Sequence, residues 1–68
     1  MDEKTFHRLQ DEELALNAKI IRLRDFMETD KFRELEPVDQ NLLDCQLYFM
    51  REYSRILGQR IRRELERG

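Results

Sequence analysis

Gln46, Tyr53 and Arg60 stand seven residues apart, with Phe49 and Ile56 between them. In a helix, every seventh residue returns to nearly the same direction, so these side chains share one flank. An amide, two aromatic rings and a guanidinium in one line suit two kinds of chemistry. In the first, the flank is an interface between copies of the chain. Gln46 and the Tyr53 hydroxyl then hydrogen-bond across helices, and Arg60 pairs with a carboxylate such as Glu12 or Glu13. In the second, the flank holds a flat, anionic ligand: a base stacks on Tyr53 or Phe49, a phosphate sits on Arg60, and Gln46 reads an edge of the base. The residues alone leave both open.

Two further groups bear on binding. Arg51, Arg55, Arg60, Arg62, Arg63 and Arg67 crowd the second half of the chain's last segment, against Glu52, Glu64 and Glu66. They read either as a solvated face, with cations favoured near a helix C-terminus, or as an anion-binding end reinforced by Arg8 and His7. Tyr48 with Arg51 and Arg55 forms an aromatic-arginine patch of the kind that anchors a protein partner. Catalysis has little to stand on. His7 is the one histidine and has no serine or cysteine placed beside it by spacing. Cys45, near the apolar arc, reads as a small half-buried hydrophobe. Asp11, Glu12 and Glu13 lack a metal-ligand spacing, and there is no glycine-rich phosphate loop. The expectation is a protein with no catalytic residue, no metal site and no cofactor.

The elements that position these residues follow from the apolar pattern. Leu9, Leu16, Ile20, Leu23 and Met27 recur at three- and four-residue steps, interrupted by Glu13. Leu43, Leu47, Met50, Leu57 and Ile61 do the same after Pro37, interrupted by Ser54. Each pattern keeps one side of a helix apolar over several turns. The first helix is predicted from about Glu3 to Glu28, with Asp2 or Thr5 as its N-cap. Phe6 extends its seam, and Leu14, Ile21 and Phe26 widen its apolar arc toward further helices. Residues 29–36 form a connector in which Asp30 caps a short turn and Phe32 and Leu35 fold back as a lid. The second helix runs from Pro37, at the first turn where proline is tolerated, to about Leu65. Gly58 inside it costs about 1 kcal/mol relative to alanine, unless it serves a close helix–helix approach.

An antiparallel hairpin pairs positions whose numbers add to about 70 when the apolar layers are matched. Met27 then meets Leu43, Leu23 meets Leu47, Ile20 meets Met50 and Leu9 meets Ile61, while Glu13 and Ser54 fall into a shared polar layer. The fold class is therefore all-α: one single-domain antiparallel two-helix hairpin over residues 1–68. So small a core leaves little net stability, and one cysteine supplies neither a disulfide nor a zinc site. Oligomerisation remains, so the expected assembly is a homo-oligomeric helical bundle, a dimer or higher.

Charged residues make up 41% of the chain, yet the net charge is −2. That balance disfavours general nucleic-acid binding. No apolar run reaches transmembrane length, and MDEKTFHR lacks the apolar core of a signal peptide. With one free thiol, the expected location is the cytoplasm.

From Lys31 to Ile61 the chain reads K-F-x-x-L-x-x-x-D-Q-x-L-L-x-x-Q-x-x-x-M-x-x-Y-x-x-I-L-x-x-R-I, preceded by K-I-I-R-L-R-D-F at Lys19–Phe26. This resembles small helical proteins encoded by phages and prophages, some of which counter host immunity. The resemblance implies an anti-defence role, either as an oligomeric sponge for a cyclic-nucleotide or related signal or as an inhibitor docked on a host protein. It would place the protein in the cytoplasm of the host cell. The expected partners are thus the chain itself and a small anionic nucleotide held by Gln46, Phe49, Tyr53 and Arg60. The alternative is a host or phage protein met by Tyr48, Arg51 and Arg55.

Overall fold

The computed structural model describes residues 3–67. Three helices follow in chain order: α1 (Glu3–Phe26), α2 (Asp30–Arg33) and α3 (Pro37–Arg67). The two long ones pack side by side into a rod of 49 × 15 × 13 Å. Among the described residues there is no strand, and no helix is long and apolar enough to cross a membrane.

The seam is built from the apolar periodicity. Leu9, Leu16 and Ile20 of α1 and Leu47 and Leu57 of α3 are buried, with Leu23, Met27, Met50 and Ile61 packed against them. Among the described residues only Leu57 is wholly enclosed, at 0% exposure. The reason is geometric: two helices side by side cover one stripe of each other and leave the remaining faces to solvent. Leu14 and Ile21, which widen the arc of α1, lie outside that stripe and stay exposed. Cys45 corrects an expectation in the same way. It lies away from the seam and is an exposed free thiol rather than a half-buried hydrophobe.

The register comes from two contacts across the pair. Ser54 Oγ donates to Asn17 Oδ1 at 2.9 Å, and Gly58 lies opposite Glu13. Residue numbers at both contacts add to 71, so the helices run antiparallel. The expected polar layer of Glu13 with Ser54 is not the one formed. Asn17 satisfies Ser54, one helical turn further along α1, and Glu13 extends toward the side-chain-free surface at Gly58. Asn17 sits beside the seam rather than in it, which is why the apolar pattern gave no warning of its role.

The connector is closed by Thr29, not by Asp30. Its hydroxyl donates to the Phe26 carbonyl at 2.6 Å and accepts from the Phe32 N–H at 3.3 Å, so one side chain ends α1 and caps α2. Asp30 instead accepts from Arg33 at 2.6 Å, an exposed pair worth little. Phe32 folds back edge-on to Phe26, with ring centroids 6.2 Å apart, and Leu35 beside it is half-buried. The Gln40 amide donates to the carbonyls of Leu35 at 2.8 Å and Arg33 at 3.3 Å, which pins the connector to the start of α3. At the other end of the chain, Thr5 lies inside α1 and is not its N-cap; Asp2 lies outside the described residues. Because Thr29 makes two of the connector's bonds, Thr29→Ala should cost about 1 kcal/mol, within the range for lost N-caps. Urea unfolding followed by circular dichroism reads this, and a midpoint equal to wild type would show that the cap does not matter.

Candidate functional site

The side of α3 that faces α1 carries Leu47 and Leu57, and the stripe of interest lies beside it. Leu42, Phe49, Tyr53 and Ile56 are all exposed, Phe49 at 66% and Tyr53 at 44%. Gln46 is exposed too, and its amide reaches only the Met50 sulfur at 3.9 Å. Arg60 is exposed and, among the described residues, makes no ion pair; neither Glu12 nor Glu13 of its own chain meets it. α3 thus presents a continuous line of ring faces, one amide and an uncompensated cation. It does not gather them at one point. Gln46 and Arg60 are fourteen residues apart, about 21 Å along the axis at the helical rise.

The outer face of α3 differs. Tyr48 is 60% exposed and packs edge-on against Phe49, with ring centroids 5.3 Å apart. Arg51 is exposed beside it, but Arg55 is engaged by Glu52 at 2.9 Å. At the far end, Arg67 pairs with Glu64 at 3.5 Å, while Arg62 and Arg63 make no ion pair among the described residues. The register sets Arg8 level with Arg63, so both chain ends add cations there.

A second feature had no forewarning in the sequence beyond a glycine in mid-helix. Gln10, Asp11, Glu13 and Leu14 of α1 and Gly58 and Ile61 of α3 line an open groove of about 450 Å³. Gly58 follows Leu57 and Ile56 precedes it, so the two lie about 100° to either side of the seam. The groove and the Tyr53 stripe are therefore on opposite sides of the hairpin. The groove's ionisable groups are the Asp11 and Glu13 carboxylates, which repel a phosphate.

Gly58 is not needed for close approach within the chain. A methyl group there would meet only Glu13 Oε2, at 4.0 Å, which is ordinary contact. With its backbone in a conformation open to any residue, Gly58→Ala should stabilise the fold by about 1 kcal/mol through helix propensity alone. Denaturant titration tests this; a destabilised variant would mean that the glycine accommodates something outside this chain.

The model of the Sequestin family matches residues 3–63. The chain belongs to the Sequestin family. The match takes in the whole of α1, the connector and α3 as far as Arg63, and so every residue of the Tyr53 stripe. Neither the curated proteins nor the solved structures contain a significant match. The Sequestin name denotes sequestration, which is a binding role. It names neither a ligand nor a partner.

Proposed function

We propose that this Sequestin-family chain is a non-enzymatic sponge that sequesters an anionic nucleotide signal, as an anti-defence protein of phage type would. One observation carries the reading: exposed aromatic faces at Phe49 and Tyr53 share a flank with Arg60, which makes no ion pair among the described residues. Rings of this kind stack on any base, and a guanidinium holds phosphate through paired N–H donors. Gln46 would read the base edge, since its amide offers both donors and an acceptor. The oligomeric bundle expected from so small a core supplies the enclosure that a single open face lacks.

The experiment is titration calorimetry and thermal shift with cyclic di- and trinucleotides and cyclic ADP-ribose isomers. The expected result is saturable heat and a raised melting temperature for at least one of them. No heat and no shift across that panel would sink the reading.

A protein-docking role is the rival, favoured by the exposed Tyr48–Phe49 ring pair. It predicts a stoichiometric protein complex that is lost on Tyr48→Ala and kept on Arg60→Ala.

A further inference from the structure

We propose that two copies of the chain pair α3 against α3 in antiparallel sense, about a two-fold axis beside Tyr53, so that each ligand site takes Gln46 from one copy and Arg60 from the other. This rests on the nucleotide reading above for its ligand, but not for its geometry.

The first argument is distance. Gln46 and Arg60 share a flank, yet about 21 Å of helix separates them, more than one nucleotide spans between base edge and phosphate. A single copy brings both to one such ligand only by stretching the two side chains toward each other along the axis. Tyr53 lies midway between them in sequence. An antiparallel second copy centred there sets its own Arg60 opposite Gln46, and by symmetry the reverse. The 21 Å gap then closes to the spacing of two packed helices, about 8–10 Å between axes. Helices that cross at the Tyr53 level splay on either side, which widens the space at both sites while the tyrosines hold the centre.

The second argument is charge. From Pro37 to Met50, α3 carries Asp39 and Asp44 and no cation; from Arg55 to Arg67 it carries five arginines against two glutamates. Antiparallel pairing lays the acidic start of each helix along the basic end of the other and opposes their dipoles favourably. Parallel pairing would set like on like. Around the axis, Asp39 of one copy comes level with Arg67 of the other, and Phe49 within one residue of the level of Ile56.

The third is burial. Leu42, Phe49, Tyr53 and Ile56 are exposed, and only five of the described residues form the buried core. A chain this small gains from a partner more than from its own seam. A second copy is the one occupant whose charge pattern the helix itself specifies.

Disulfide mapping tests the geometry without any ligand. In a Cys45→Ser background, Tyr53→Cys should oxidise to a covalent dimer, since positions on a two-fold axis come within bridging distance. Gln46→Cys and Arg60→Cys chains, treated with a short bis-maleimide that spans the splayed site but not the roughly 21 Å between like positions, should each stay monomeric alone on a denaturing gel and cross-link when refolded together. Self-linking of Arg60→Cys would mean parallel pairing. Absence of any cross-link, with a monomer in sedimentation of the unmodified chain, would equally overturn the proposal.

The second arm uses the cyclic nucleotide panel. Gln46→Ala and Arg60→Ala proteins should each bind poorly, and refolding them together should restore about one quarter of the wild-type sites, because half of the random dimers hold one intact site. Binding lost in both and not restored by mixing would show a site within one copy. Antiparallel cross-links without nucleotide binding by the wild type would retain this geometry and reject the sponge reading.

Discussion

Leu57→Ala is expected to lose about 2–5 kcal/mol of stability, the range for emptying a fully buried leucine site. Among the described residues, Leu57 is the one side chain at 0% exposure, in the seam between the two long helices. Four other residues complete the buried core, so neighbouring groups have little mass with which to fill the cavity. A domain of this size has roughly 3–5 kcal/mol to lose in total. The variant should therefore be largely unfolded at 25 °C in dilute solution. Circular dichroism at the helical band should show a broad, early melt with no folded baseline. Leu65→Ala, an exposed leucine eight residues further along the same helix, is the control and should move stability by less than about 0.5 kcal/mol. Equal melts for the two variants would mean that the buried seam is not what holds the protein together.

Arg60→Ala is expected to weaken nucleotide binding by roughly ten- to a hundredfold, as for the loss of a charge-assisted bond worth about 1.5–3 kcal/mol. The fold should not change, because Arg60 is exposed and supports no ion pair among the described residues. Arg60→Lys keeps the charge but loses the planar fork, so its affinity should fall between the two. Binding should also weaken as salt is raised, since the contact is exposed. Arg55→Ala is the useful contrast. Arg55 already serves Glu52 at 2.9 Å on another face, and its loss should leave nucleotide affinity near wild type. The reverse pattern, with Arg55 and Tyr48 essential and Arg60 dispensable, would move the function to a protein partner. Calorimetry on the three variants distinguishes these outcomes.

These two predictions rest on features of different legibility. Leu57 was readable as a seam residue because its spacing from Leu47, Met50 and Ile61 follows the helical period. That it alone would be completely enclosed was not readable, since enclosure depends on how the partner helix's side chains interdigitate around it. Arg60 was readable as one of a heptad with Gln46 and Tyr53. Its freedom from Glu12 and Glu13 was not, because side-chain reach across a helix pair depends on which flank each carboxylate occupies. Thr29 and Asp30 are both capping residue types, and the sequence does not single out Thr29. Either side chain can accept from an N–H, and the choice turns on where α1 releases the chain, two residues before the expected Glu28.

The sequence by itself determined the two long helices to within two residues at their C-terminal ends, expected at Glu28 and Leu65 and found at Phe26 and Arg67, together with their antiparallel sense and their register to within about one residue. Those follow from the period of Leu9, Leu16 and Ile20 against Leu47 and Leu57, from the proline that starts α3, and from a connector too short to permit a distant return. Tertiary structure alone decided what lies beside the seam. Asn17 rather than Glu13 satisfies Ser54, Gly58 opens a groove lined by carboxylates, and Cys45, Leu14 and the Tyr53 stripe face solvent. The physical reason is that apolar periodicity fixes one direction on each helix, the one that must be dry. The flanks are set by the rotation and level of the second helix, and a polar side chain one turn away reads the same in sequence whether it meets its partner or water.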